Sequence, residues 1–216
     1  MNISKLGVVF IGLLPVLAAA GILYFYSAWQ FNQGITSEFA KQDGLSFPYY
    51  IKPGTEANYT LLLGDLNGLN RDAYTRLLSL AKKPPGTEHS AIVVPSLMPE
   101  KSVSILSRIT PEDFYSQISD SRGVVLADNF CTADWEKTKD NALYINTTLT
   151  PGPFCFSEPE TKDLNSLIKT YHVSRVEIVY DAENYRDFIQ NFLEYLKENR
   201  VSYEFVQSRN VPEAFQ

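Results

Sequence analysis

One apolar run dominates the hydrophobic pattern of this chain. Residues 6–26 read LGVVFIGLLPVLAAAGILYFY without a charge, and apolar character continues through Ala28, Trp29 and Phe31. A helix of about 20 apolar residues spans a hydrocarbon core of roughly 30 Å. Tyr24, Tyr26 and Trp29 close the run, where aromatic rings sit well at headgroup level. The pattern predicts a transmembrane helix over residues 6–28 after a short cytoplasmic segment, residues 1–5. A cleaved signal peptide is the rival reading, with Lys5 before the apolar core and Ala18-Ala19-Ala20 as the small-residue cleavage site. The apolar stretch beyond Ala20 favours the anchor, because chain after a cleavage site is normally polar. Lys5 precedes the run and the next basic residue is Lys41. The positive-inside rule then places the N-terminus in the cytoplasm and the remainder outside, as a single-pass inner-membrane protein with a periplasmic domain.

At 100° per residue, Gly7, Ala18, Gly21 and Ala28 share a narrow arc, and Pro15 sits mid-span where it removes a backbone donor. Small residues on one face let helices approach closely in lipid. The expected partners are therefore the lipid bilayer and a second copy of the chain, packed through this helix.

Residues 29–55 read as a juxtamembrane connector, with Gly34, Gly44, Pro48, Pro53 and Gly54 among polar residues. Residues 56–216 read as one exported domain. Strands are predicted at 58–66, 91–94, 102–109, 123–127, 142–149, 175–180 and 201–206. Helices are predicted at 69–82, 110–119, 162–171 and 183–199. The 110–119 helix opens on Thr110-Pro111-Glu112-Asp113, a capping residue, a proline and two acids. The last helix gathers Tyr185, Phe188, Ile189, Phe192, Leu193 and Leu196 on one face. Alternation of strands and helices predicts an α/β domain with a mixed sheet.

The formal net charge is -6, and acids and bases are mixed along the chain. No basic stripe exists to attract nucleic acid. The two cysteines, Cys131 and Cys155, both fall in the exported domain, where an oxidising compartment allows a disulfide. Asn58-Tyr59-Thr60 and Asn146-Thr147-Thr148 match the glycosylation pattern, which short sequences meet often by chance.

Chemistry has one candidate location. Asp65, Asp128 and Asp181 each follow an apolar stretch, and ligands in open α/β sheets bind beyond the carboxyl ends of strands. Three such acids can hold a divalent metal for hydrolysis. The plainer reading makes them turn and cap residues. No phosphate-binding loop, GxGxxG or GxSxG accompanies them. His89 and His172 are the two histidines, and neither stands in a catalytic pattern; His172 suits a helix C-terminus. No cofactor is implied, and the domain is expected to be non-enzymatic.

The layout resembles the holins of T-even-type phages: one transmembrane helix, a large periplasmic domain, and two cysteines in that domain. The local likeness is the apolar-Cys segment Pro153-Phe154-Cys155-Phe156 ahead of a strand and a C-terminal helix. The near absence of a cytoplasmic segment departs from that pattern. The resemblance implies a helix that self-associates and permeabilises the host inner membrane for lysis, and a periplasmic domain that binds a regulatory protein. Two other readings stand beside it: a subunit of a secretion or conjugation complex, and a membrane-anchored metal-dependent hydrolase using the three aspartates.

Overall fold

A computed structural model describes residues 40–41, 45–82, 89–102, 117–140, 144, 147–180 and 183–211. The chain divides into two compact units, Met1–Glu38 and Phe39–Gln216, and all described residues belong to the second. The predicted transmembrane helix, with Gly7, Pro15, Ala18, Gly21 and Ala28, lies outside the described residues. Among the described residues no helix is long and apolar enough to cross a membrane.

The domain is α/β with a mixed six-stranded sheet. The strands are β1 (Ala40–Lys41), β2 (Tyr49–Lys52), β3 (Thr60–Asp65), β4 (Ala91–Ser96), β5 (Arg175–Tyr180) and β6 (Ser202–Gln207), in spatial order β1-β2-β4-β3-β5-β6. The block β4-β3-β5-β6 is parallel, while β2 joins β4 and β1 joins β2 antiparallel. Helices are α1 (Arg71–Ala81), α2 (Pro99–Ser102), α3 (Trp135–Thr138), α4 (Pro159–Thr170) and α5 (Gln190–Glu198).

The central strands read as continuous apolar runs, LLL in β3 and AIVV in β4, because both faces of a parallel sheet are covered. Leu61, Leu63, Ile92, Val94, Val176 and Ile178 enter one core with Leu164, Leu167 and Ile168 of α4 and Phe192, Leu193 and Leu196 of α5. The alternate residues face the other way. On that face a Cβ at Gly64 would lie 3.1 Å from Leu77 of α1 and 2.3 Å from the Pro95 carbonyl oxygen. Glycine at position 64 is thus what lets β3 and β4 pair beneath α1.

Several elements differ from the sequence pattern. Part of the stretch read as a connector supplies β1 and β2, and Tyr49 and Tyr50 of β2 are buried. The flanking glycines and prolines hide a four-residue strand whose ladder partner is distant β4. The stretch 123–127 is no strand of the sheet. It makes one isolated bridge, Val124 to Thr150, and then a 3-10 turn, Leu126–Asp128. Gly123 at φ +80° and the Asp120 carboxylate, which accepts from the Arg122 and Val124 N–H groups, shape it as a buried loop. The helix expected at 183–199 splits into a 3-10 stretch, Glu183–Ile189, and α5. The expected strand at 102–109 lies outside the described residues beyond Ser102, which ends α2. Most of the helix expected at 110–119 and half of the strand expected at 142–149 are likewise outside them.

Candidate functional site

The chain leaves β3 to pair β4 on one side, then crosses back to place β5 and β6 on the other. The carboxyl ends of β3 and β5 therefore flank a topological switch point, where α/β sheets leave a crevice. Two contacts stitch its rim. The Tyr185 hydroxyl, fully buried after β5, accepts from the Leu66 N–H at 2.9 Å and donates to the Gly64 carbonyl at 3.2 Å. The Asn70 carboxamide donates to the Val179 carbonyl at 2.7 Å.

A cavity of about 220 Å³ opens at this place. Asn67 reaches it from the turn after β3. Asp187, Phe188 and Gln190 come from the segment after β5. Ile118, Val125 and Asp128 come from the long β4–β5 connection. Gly68 holds the turn beside Asn67: its φ is +73°, and a Cβ there would meet the Gln117 carbonyl oxygen at 2.6 Å. A second recess of about 430 Å³ continues past Asp128 and Gln190 along Thr132, Asp134, Asp140 and Glu194.

Asp128 is the carboxylate shared by both spaces. It is 9 % exposed, and burial pushes its pKa up to about 6, a rise partly offset by the hydrogen bond that the Tyr144 hydroxyl donates to Oδ2. The loop carrying it is tied down from three sides. Trp135 Nε1 and Asn191 Nδ2 both donate to the Asp128 carbonyl at 3.0 Å. Asn191 Nδ2 also donates to the Phe130 carbonyl at 2.9 Å. Cys131 is joined to Cys155, with Cα atoms 4.9 Å apart. Beneath the disulfide, Phe130 packs on Phe192, Tyr195 and Phe156, with centroids 4.7, 5.2 and 5.7 Å away.

Asp65 does a different job. Its Oδ1 accepts from the Asn67 and Leu69 N–H groups at 3.2 and 3.1 Å, and its Oδ2 accepts from the Ser102 hydroxyl at 2.6 Å. It has no exposed surface, and burial raises its pKa despite those bonds. It shapes the turn that presents Asn67 and does not line the cavity. Asp181 lies outside the described residues.

A hydrolytic zinc centre is held by three ligands with histidine foremost, as in the two-His-one-Glu sites of carboxypeptidase-type enzymes. The side chains here do not fit that demand. His89 precedes β4 and its Nδ1 lies 2.8 Å from Glu56, while His172 precedes β5 at the end of α4 with φ +50°. Both thus sit at the amino edge of the parallel strands, opposite the cavity. Both cysteines are in the disulfide. No group of three or more His, Cys, Asp or Glu among the described residues can hold a metal.

No family model and no curated protein matches this sequence. Solved structures do. The murein-tripeptide amidase MpaA from Escherichia coli O157 aligns at a TM-score of 0.50 and 15% identity, over 78% of this chain and 82% of that one. Bovine thrombin-activatable fibrinolysis inhibitor, solved in complex with tick carboxypeptidase inhibitor, aligns at 0.45 and 15% identity, over 74% of this chain and 60% of that one. The domain shares the fold of the amidase.

That finding corrects the holin resemblance and the host-lysis role drawn from it. Length, a single apolar segment and two cysteines describe a layout, and a layout is compatible with unrelated folds. The expectation of a non-enzymatic domain is corrected on the same ground, since the domain is built on a fold that an amidase uses.

Asn67, Tyr144, Asp187, Phe188 and Gln190 were not legible as site residues. Asn67 carried one signal, its place in the Asp-Leu-Asn-Gly turn directly after a strand. The other four reach the cavity or Asp128 through long-range packing.

Proposed function

We propose that this protein is a hydrolase of amide bonds in peptide-like substrates, working at the switch-point cavity with Asp128 as general acid and base. One observation carries the reading: a buried carboxyl whose pKa burial lifts to about 6 faces a cavity at the carboxyl edge of the sheet. A proton carrier works best when its pKa lies near the working pH. In this reading the Asp128 carboxylate takes a proton from water as the water oxygen adds to the amide carbon. It returns that proton to the amine as the carbon–nitrogen bond breaks. The Asn67 NH2 is placed to donate to the carbonyl oxygen as negative charge grows there. The fold shared with an amidase supports the reaction class and makes a hydrolase a better reading than a membrane-permeabilising protein. Among the described residues no group of acids, histidines or cysteines can hold a metal, and Asp65 is taken up by backbone and Ser102 hydrogen bonds.

The location belongs to the same proposal: residues 6–28 anchor the chain in the inner membrane, with the catalytic domain in the periplasm. The disulfide supports an oxidising compartment. The test is release of free amine from a panel of short peptides and muropeptides by the full-length protein in detergent, compared with Asp128→Asn. Turnover that falls at least about a hundredfold in the variant fits a general acid–base role. No turnover of any panel member, or equal turnover by the variant, would overturn it.

A further inference from the structure

Asn67 is 1 % exposed, yet neither its Oδ1 nor its Nδ2 has a hydrogen-bond partner. Nearly all buried carboxamides are bonded, because an orphaned one costs its full desolvation. Here the orphaned carboxamide belongs to a residue that lines the cavity, so a donor and an acceptor stand side by side at its wall. The rest of the wall is apolar at Ile118, Val125 and Phe188 and acidic at Asp128 and Asp187, and no lysine or arginine is among the described lining residues. The adjoining recess adds Asp134, Asp140 and Glu194; its single cation, Lys137, is already paired with Asp134 at 2.5 Å.

We propose that this cavity recognises an amide that carries a nearby ammonium group, with the Asn67 carboxamide pairing the amide and Asp187 receiving the ammonium. The inference rests on the reading of this cavity as the substrate site and specifies its substrate class. The amide supplies the C=O and N–H that complement the two orphaned atoms. An ammonium satisfies the acidic wall, whereas a terminal carboxylate would meet two acids and, among the described lining residues, no cation. A site that buries an unpaired hydrogen-bonding side chain selects strongly for ligands that complete the pair.

The test uses the full-length protein in detergent micelles and three small probes followed by NMR titration: L-alaninamide, propionamide and N-acetyl-L-alanine. L-alaninamide is expected to bind saturably. Propionamide, lacking the ammonium, is expected to bind at least about tenfold more weakly, and N-acetyl-L-alanine not at all. Asn67→Leu and the exposed-site variant Asp187→Asn should each weaken L-alaninamide binding about tenfold or more. Asn67→Leu should also melt no lower than the parent, because it removes two orphaned polar atoms. Equal or tighter binding of N-acetyl-L-alanine, unchanged binding by Asn67→Leu, or a lowered melting temperature for that variant would overturn the assignment. Probe selectivity without peptide hydrolysis would sink the hydrolase reading and leave this inference standing. Hydrolysis without ammonium selectivity would do the reverse.

Discussion

The Tyr144 hydroxyl donates a hydrogen bond to Asp128 Oδ2. The two groups shift each other in opposite senses. Burial raises the Asp128 pKa to about 6, and the hydroxyl restrains that rise by stabilising the carboxylate. Burial and the neighbouring carboxylate push the Tyr144 hydroxyl far above its ordinary range, so it remains a donor at any working pH.

Tyr144→Phe removes a bond that favours ionised Asp128. The Asp128 pKa should climb further, and the acid limb of the pH–rate profile should move up by about one unit. Activity near pH 6 should fall several-fold and recover by pH 8. An acid limb that stays in place would separate Asp128 from the reaction.

Asp128→Asn should stabilise the domain at neutral pH. The pKa of Asp128 is higher in the folded chain than the ordinary value of 3.8, so its favourable contribution is complete below about pH 4 and is lost as pH rises through 6. The variant should gain roughly 3 kcal/mol at most at pH 8 and nothing at pH 3.5, read from denaturant melts at both values. Equal gains at the two values would point to packing in place of charge.

Asp65→Ala leaves the Asn67 and Leu69 N–H groups without their acceptor, while the Ser102 hydroxyl can still turn to Ser96 Oγ or the Met98 carbonyl. A cost of about 3–5 kcal/mol is expected, and Asp65→Asn should cost less because its oxygen still accepts. Turnover per folded molecule should persist in Asp65→Asn. A folded but inactive Asp65→Asn would return this residue to the chemistry.

Reducing the Cys131–Cys155 bond, which links residues 24 apart, should lower stability by roughly 3–4 kcal/mol on loop entropy. Because Asp128 lies three residues before Cys131, activity should decline before global unfolding. Asn191→Ala should deepen that loss by freeing the Asp128 and Phe130 carbonyls. Coincident loss of activity and fold in calorimetry and kinetics would contradict the local effect.

Chelator should leave both turnover and the melting temperature unchanged. Both histidines sit at the far edge of the sheet and both cysteines are oxidised, so the usual zinc ligands are absent from the cavity. Loss of activity on chelation, restored by a divalent ion, would require ligands beyond those described.

Much of the sheet was legible because local periodicity carries it. The runs TLLLGD, AIVV and RVEIVY appear as strands in sequence and in structure, since a strand buried on both faces must be apolar throughout. The YYIK strand was hidden because its four residues gain their stability from distant β4. The stretch GVVLA misled for the opposite reason: burial alone made it apolar, and it is buried as a loop.

By itself the sequence determined the α/β class, the existence of the central helices and strands, and the apolar N-terminal run. Those follow from local patterns of side-chain polarity and backbone preference, which act over a few residues. Only the tertiary structure decided which acid matters. Asp65 and Asp128 look alike in sequence, each ending an apolar stretch. Folding consumes Asp65 in backbone bonds and leaves Asp128 facing a cavity with the unpaired amide of Asn67. Solvent exclusion and long-range contact assign those roles, and neither is encoded in any short window of the chain.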